Sequence, residues 1–343
     1  MNTAMLDDVS LIALLVAMGL YAAAFIAFAL DLARRSALVA DAATAAARQP
    51  SAVGATSARR GGTATLEREP AASSGDGDRN ATGPDAPVAA GRSLSLNVAM
   101  VLLSVGFVAH AVATVLRGIA ASRVPWANMY EFAMTGTLLI LSVYLIVLTR
   151  RDLRFLGTFV TGLILILLGI AVVQYRVEVA PLPPSLQSYW LVIHVFVAAL
   201  GTGFFALAFA LSGVQLLQFR RESLAADAQA AKMRFLATLP DSVTLESMAY
   251  RLNIVGFIFW TFTLMAGAVW AERAWGRYWG WDTKEVWTFI IWVLYAGYIH
   301  ARATRGWRGS RSAWLAVIGF SAVMFNFGIV NVFFKGLHTY SGL

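Results

Sequence analysis

Eight apolar segments, each close in length to the thickness of a lipid bilayer, restrict the fold of this chain more than any other feature. A helix needs about 20 apolar residues to cross the hydrocarbon core. The segments are Leu11–Leu32, Leu94–Arg117, Met129–Leu148, Phe155–Gln174, Trp190–Phe219, Leu252–Trp270, Val286–His300 with its flanks, and Ala313–Phe334. A spanning backbone must satisfy its hydrogen bonds internally, which favours helices. The sequence therefore predicts an all-α, polytopic transmembrane helical bundle with about eight spans.

The composition supports a membrane protein and argues against nucleic acid as a partner. Hydrophobic residues make up 59% of the chain and charged residues 13%, whereas soluble domains average about 45–50% and about 25%. The net charge of +8 could suit nucleic acid, but the charges lie in loops that flank the spans. We expect the lipid bilayer, and no nucleic acid, to be the partner of this surface.

The distribution of Lys and Arg predicts the orientation of the bundle. Twenty of the 27 Lys and Arg residues fall in one set of loops, namely 34–92, 150–154, 220–251 and 302–311. Cytoplasmic loops carry an excess of these residues. We therefore expect both termini to be extracytoplasmic, with the protein integral to a bacterial plasma membrane.

The chain is predicted to consist of three parts. Residues 1–32 form a first span, because Arg34 and Arg35 after it favour a retained helix over a signal peptide. Residues 33–93 are rich in Ala, Gly, Ser, Pro and charge, which is typical of a disordered linker, here cytoplasmic. Residues 94–343 form a seven-span core with an outer loop at 270–287 that is rich in Trp.

Aromatic residues crowd that loop. Seven of the eleven Trp residues lie between Trp260 and Trp292, and the loop itself contains Trp275, Trp279 and Trp281. Trp also anchors many membrane proteins at the interface, so anchoring is the simplest interpretation. A cluster this dense favours a flat binding surface for a large planar ligand.

Charged residues around the loop indicate what that ligand carries. Arg273, Arg277 and Lys284 oppose the charge bias of this side, and such cations bind carboxylates. The propionates of a porphyrin would suit them. Asp282 and Glu285 have the spacing of a capping box that starts a helix at about Thr283. A second role for Asp282, in orienting the loop or a ligand-binding Arg, stays open.

The four histidines fall at three levels. His194 and His338 lie near the level of the aromatic loop, and two neutral imidazoles can hold haem iron from opposite faces. His300 lies about 26 Å down its helix from Thr283, too deep to share that iron. Its opposite ligand would come from a partner subunit. We interpret His110 as a polar residue that faces the bundle, and we assign it no role.

Three stretches of the sequence resemble the CcsA/ResC family of System II cytochrome c assembly, which carries a Trp-rich (WWD) domain. The strongest is Trp275–Arg302, WGRYWGWDTKEVWTFIIWVLYAGYIHAR. The others are VPWANMYEF, with Pro125, Asn128, Tyr130 and Glu131, and the tail GLHTYSG at Gly336–Gly342. The resemblance covers most of residues 94–343.

That resemblance implies a function and a set of ligands. His194 and His338 match two external axial ligands of haem b, and His300 matches a transmembrane ligand of a lower site. The family's other transmembrane ligand lies in a ResB-like membrane subunit. The implied function is delivery of haem to the outer membrane face and its presentation for covalent attachment to apocytochrome c.

The chemistry of attachment would belong mainly to haem and to the client protein. The chain has no cysteine, so any thiols must come from a partner, such as an apocytochrome with a Cys-x-x-Cys-His segment. No catalytic residue is assigned, and it is open whether the chain is an enzyme in itself or part of a holocytochrome c synthase complex. The alternative function is a b-type haem electron-transfer subunit of a quinone-linked membrane complex.

Overall fold

The computed structural model describes residues 2–48, 93–224, 234–304, 306–334 and 336–338. The long helices are α1 (Thr3–Arg48), α2 (Leu94–Ala121), α3 (Met129–Leu148), α4 (Gly157–Gln174), α5 (Tyr189–Glu222), α6 (Ser242–Trp275), α7 (Thr283–Thr304) and α8 (Ser310–Phe325). Short 3₁₀ turns occur at Arg154–Leu156, Pro184–Leu186 and Arg234–Thr238, and a π-helical turn at Asn326–Val330 precedes α9 (Asn331–Phe333). The described residues contain no strand, so the prediction of an all-α membrane bundle is confirmed.

Seven of the eight long helices are long and apolar enough to cross a membrane, and α7 is the one that is less apolar. Its sequence contains Lys284, Glu285 and several Trp and Tyr residues. It still runs antiparallel to α6 over its whole length, because Trp260 Nε1 donates to Thr288 O at 3.1 Å and Arg302 Nε to Glu246 at 3.0 Å. With 22 residues it is about 33 Å long, enough to cross with its neighbours.

The helices alternate in direction, so their ends gather at two levels. At one level the start of α1 meets the end of α2 through Asp7 and Arg117, and Asn331 after α8 contacts Met129 at the start of α3. We call this level the site end. The described chain begins and ends there. The side of the membrane that the site end faces stays a prediction.

The first helix is longer than the sequence indicated. The first span was expected to end at Leu32, with a linker over residues 33–93, but α1 continues to Arg48. Residues 36–48 are mostly Ala, which has the highest helix propensity, and this outweighs the charges that suggested a linker. The remainder of the expected linker, residues 49–92, lies outside the described residues.

Close packing between α5 and α6 sets the position of the helices that carry the site. A Cβ added at Gly201 would lie 3.3 Å from the carbonyl oxygen of Gly256, and one at Gly256 would lie 2.7 Å from the Phe205 ring. Small residues at such contacts let two helix backbones approach in a membrane. The α5–α6 pair therefore depends on the absence of a side chain at Gly256.

We expect Gly256→Ala to destabilise the protein, because the new methyl group must displace the buried Phe205 ring. Overpacking of this kind costs about 1–3 kcal/mol. Gly213→Ala on α5 is the matched control, since a Cβ there meets nothing within 4 Å. The apparent unfolding temperature in detergent should fall for the first variant only. Equal shifts in both variants would contradict this account of the packing.

Candidate functional site

His194 lies in the second turn of α5 with its ring against α6. Its Nδ1 is 3.0 Å from the carbonyl oxygen of Thr263. A carbonyl can only accept, so Nδ1 carries the proton and Nε2 keeps its lone pair. Gly267 makes room for this ring, because a Cβ there would lie 2.8 Å from Cε1 of His194. The imidazole is thus held in the tautomer that a metal ligand needs.

His338 is oriented by a carboxylate in the same manner. Its Nδ1 lies 2.7 Å from Oδ2 of Asp282, and the backbone N–H of Leu337 donates to Oδ1 at 3.1 Å. The hydrogen bond from His338 holds the pKa of the Asp282 carboxyl below its usual range. In the neutral ring Nε2 is left as an acceptor, the arrangement typical of imidazoles that bind metals.

The same carboxylate starts helix α7. The backbone N–H of Lys284 donates to Oδ2 of Asp282 at 3.3 Å, and the Asp282 N–H donates to Oε2 of Glu285 at 3.1 Å. The predicted capping box and the start at Thr283 are therefore confirmed. Glu285 also accepts from the N–H of Gly280 at 2.8 Å, which ties the aromatic loop to the first turn of α7.

Trp270 joins the two imidazoles. Its ring stacks on His194 with 5.7 Å between centroids and an interplanar angle of 18°, and it meets His338 edge-on at 5.3 Å. Trp275 also contacts His338 edge-on at 4.9 Å. The indole Nε1 of Trp270 donates to Ser185 O at 3.0 Å, which fixes the ring. The sequence places Trp270 in the aromatic cluster but does not assign it to the ligand site, because no local pattern shows that its ring contacts both histidines.

Two adjoining cavities, of about 80 and 100 Å³, open between these side chains. The residues that line both are His194, Ala198, Lys284, Phe327 and His338. The first cavity adds Trp279, Tyr278 and Glu285, and the second adds Trp126, Asn128 and Leu186. The site therefore lies where α5, α6, α7 and α8 meet the loops before α3 and α5.

Lys284 brings positive charge into both cavities. Its Nζ donates to the carbonyl oxygen of Asn326 at 2.9 Å and to Oδ1 of Asn331 at 2.7 Å, and it lies 4.6 Å from the Phe327 ring centroid. Both hydrogen-bond partners are neutral oxygens. Asn326 begins the π-helical turn, a feature common at functional sites.

Three other predicted site residues lie at the rim and line neither cavity. Arg273 is exposed with its Nε 3.5 Å from Glu272. Arg277 folds over Gly280, where an added Cβ would be 2.8 Å from its Nε. Trp281 is 79% exposed and contacts only the edge of Trp279 among the described rings, at 6.0 Å. The Arg pair thus lies at the exposed rim while Lys284 lines both cavities, and the binding of one ligand by all three cations stays a prediction.

The remaining histidines are separate from this site. His300 is exposed on α7, two residues before the Arg302–Glu246 pair at the opposite end of the bundle. His110 is fully buried, with Nε2 3.0 Å from Met134 O and Nδ1 3.3 Å from the Tyr21 hydroxyl. Both of its ring nitrogens are engaged by protein groups. His110 is thus a polar residue facing the bundle, and the structure assigns it no ligand.

The geometry defines a class of protein: a helical membrane bundle with two oriented imidazoles beside an indole cluster at one end. Residues 126–338, which include this whole site, match the family model described as cytochrome C assembly protein. The cytochrome c biogenesis protein CcsA of Guillardia theta is 36% identical over 245 residues, 66% of this chain and 80% of that protein. CcsA of Trieres chinensis is 33% identical over 274 residues, 71% and 88% of the two chains.

The chain belongs to the CcsA family of cytochrome c assembly proteins. CcsA of Synechococcus sp. (strain CC9902) is 39% identical over a shorter stretch of 177 residues, 47% of this chain and 58% of that protein. The family resemblance read from the sequence is thereby confirmed. Membership implies a role in cytochrome c assembly, with haem handling and with apocytochrome c and membrane proteins as partners.

We expect Asp282→Ala to release the segment that carries His338. Leu337 and His338 lose their common acceptor, and the loss of such a bond corresponds to roughly fivefold faster amide exchange at Leu337. Asp241→Ala is the control, because Asp241 caps α6 through the Thr244 N–H at 2.8 Å and does not touch this segment. Hydrogen exchange read by mass spectrometry on the C-terminal peptide checks this, and unchanged exchange in Asp282→Ala would contradict it.

Proposed function

We propose that this protein delivers haem b to the extracytoplasmic face of a bacterial plasma membrane and presents it there for covalent attachment to apocytochrome c. One observation supports this above the others. His194 and His338 each donate through Nδ1 to a fixed protein oxygen, and both line the same two cavities. Two imidazoles with free Nε2 atoms suit the axial positions of haem iron.

The donor set fits a porphyrin better than a bare metal ion. Among the described residues no group of three or more His, Cys, Asp or Glu side chains converges. The porphyrin of haem supplies four nitrogen ligands, so the iron needs only two axial ligands from the protein. His194 and His338 would hold the iron, with Trp270, Trp275 and Trp279 against the ring.

Lys284 would meet a propionate of the bound haem. Its Nζ lies inside both cavities, and its hydrogen-bond acceptors among the described residues are neutral oxygens. A buried charge without an opposite charge as hydrogen-bond partner is costly, and a carboxylate of the cargo would compensate it. Arg273 and Arg277, at the exposed rim, are placed instead to meet the client protein or the edge of the haem.

Covalent attachment would use the thiols of the client. In an apocytochrome segment Cys-x-x-Cys-His, each S–H adds across a vinyl group of haem, and the client histidine takes one axial position. This chain would contribute orientation and proximity. In this role it is part of a holocytochrome c synthase complex, and no side chain is assigned as acid or base.

His300 would serve a second, lower haem site together with a membrane partner. It is exposed on α7, on the same helix face as Phe289 and Val293, which are 48% and 47% exposed. His110 does not offer the opposite ligand, because both of its ring nitrogens are engaged by Tyr21 and Met134. A ResB-like subunit would supply the opposite ligand and cover this face.

A b-type electron-transfer subunit, the alternative, would need pairs of histidines at two matching levels within the bundle. Among the described residues, a pair of histidines is found at the site end and at no second level. Deleting the gene and staining for covalently bound haem separates the two functions. Loss of c-type cytochromes supports assembly, and their retention with loss of quinol oxidation supports electron transfer.

We expect protein purified with its membrane partner to show a bis-histidine haem spectrum that falls several-fold in His194→Ala and in His338→Ala, because each removes an axial ligand. His110→Gln is the control, since that ring is engaged by protein groups on both nitrogens. The measurement is reduced-minus-oxidised absorbance per protein. It is made in a His300→Ala background, so that only the site of His194 and His338, the upper site, contributes. Unchanged spectra in both histidine variants would exclude them as ligands.

We also expect Gly267→Ala to lower haem content at the same site. The new Cβ overlaps the His194 ring and pushes Nε2 out of the cavity, although every ligand is still present. Gly169→Ala on α4 is the matched control, because a Cβ there meets nothing within 4 Å. Equal haem absorbance in the two variants would show that the position of the His194 ring does not matter.

A further inference from the structure

A buried ion network lies beside the cavities, and neither haem ligation nor membrane anchoring accounts for it. Arg117 at the end of α2 and Glu131 in the first turn of α3 are both fully buried, with Nε and Oε1 3.0 Å apart. Asp7 of α1 contacts the other side of the same guanidinium. Burying such charges is costly, and ionisable groups at membrane depth usually have a function.

The Glu131 carboxylate holds the loop that joins α2 to α3. Its Oε2 accepts from the guanidinium of Arg123 and from the backbone N–H of Ala127, the latter at 3.0 Å. The backbone N–H of Glu131 in turn donates to Oδ1 of Asn128 at 2.9 Å. The Glu131 side chain thus holds the loop at Arg123 and Ala127, and its backbone N–H holds Asn128.

That loop forms a wall of the second cavity. Trp126, Asn128 and Met129 line it together with His194 and His338. Thr135 Oγ1 also donates to the carbonyl oxygen of Pro125 at 2.7 Å. The backbone next to Trp126 is therefore held on one side by Thr135, at Pro125, and on the other by Glu131, at Ala127.

The two guanidiniums extend the network to the loop between α4 and α5. Arg117 donates to Val177 O at 2.9 Å and Arg123 to Ala180 O at 3.3 Å. Farther along, this loop carries Leu186, which lines the same cavity, and Ser185, whose carbonyl holds Trp270. Both loops that face the imidazoles are thus tied to one carboxylate.

We infer that Glu131 is a positioning residue for the upper haem site. It acts through the loop that carries Trp126 and through the Arg117 and Arg123 guanidiniums, which set the distance between that wall and the two imidazoles. The inference rests on the proposed haem-binding function. It adds a residue on α3, away from the aromatic loop, that affects haem binding at this site. The carboxylate touches neither haem nor ligand.

A double-variant cycle tests this in the full chain with its partner, in a His300→Ala background. Glu131→Gln keeps the size of the side chain but cannot balance two guanidiniums, and we expect haem bound per protein to fall about fivefold with a shifted midpoint potential of the iron. Trp126→Ala should give a decrease of similar size. The effects of coupled residues are not additive. The double variant should therefore bind no less haem than whichever single variant binds less.

Glu246→Gln is the matched control at the opposite end of the bundle. Glu246 accepts from Arg302 at 3.0 Å and from the backbone N–H of Gly309 at 2.8 Å, the same chemistry as Glu131. Its loss should lower the unfolding temperature but leave the haem content and the potential of the upper site unchanged. A purely structural role of Glu131 would make the two Gln variants alike.

Several outcomes overturn the inference. These are unchanged haem content and potential in Glu131→Gln, no effect of Trp126→Ala, or effects that multiply in the double variant. If Glu131→Gln does not accumulate, Arg123→Gln replaces it, because it removes the contacts of Arg123 with Glu131 and Ala180 while the Arg117–Glu131 pair remains. Haem retained in His194→Ala and His338→Ala would instead refute the proposed function, whatever Glu131 does.

Discussion

One carboxylate, that of Asp282, connects the elements on which this site depends. It accepts from the backbone of Lys284 at the start of α7, from Leu337, and from the ring of His338. A Cβ added at Gly336 would overlap its Oδ1, so the terminal segment passes directly against it. The end of the described chain is therefore held to the aromatic loop by the same side chain that caps the start of α7.

Buried charge in this bundle is concentrated at its two ends. At the site end Glu131 binds two guanidiniums and a backbone N–H, and at the opposite end Glu246 binds the guanidinium of Arg302 and the backbone N–H of Gly309. Between these levels the helices pack mainly through apolar and small side chains. In a medium of low polarity such ion pairs cost free energy unless every donor is satisfied. Both carboxylates satisfy several donors at once, and each fixes a loop.

Part of the site could be predicted from the sequence because local rules govern it. The spacing of Asp282 and Glu285 indicates the start of α7, and the positions of His194 and His338 relative to their spans bring both to one level. The partners of those rings could not be predicted. Thr263 contributes a backbone carbonyl, Gly267 contributes the absence of a side chain, and Trp270 contributes a ring that contacts both histidines. These contacts arise from how α5 packs on α6, which no local pattern encodes.

The positions of the rim arginines could not be predicted from the sequence either. They leave Lys284 as the predicted cation that enters the cavities. Arg273 and Arg277 flank the aromatic loop in sequence, yet both lie at the exposed rim, whereas Lys284 enters the cavities from the first turn of α7. A π-helical turn interrupts the regular ladder of α8 at Asn326, and the carbonyl of that residue accepts from the Lys284 ammonium. An Arg there would bind neighbouring oxygens through a rigid fork, while the lysine can turn toward an arriving carboxylate. The irregular turn and the flexible cation together would suit the proposed ligand, a planar ring with carboxylates at its edge.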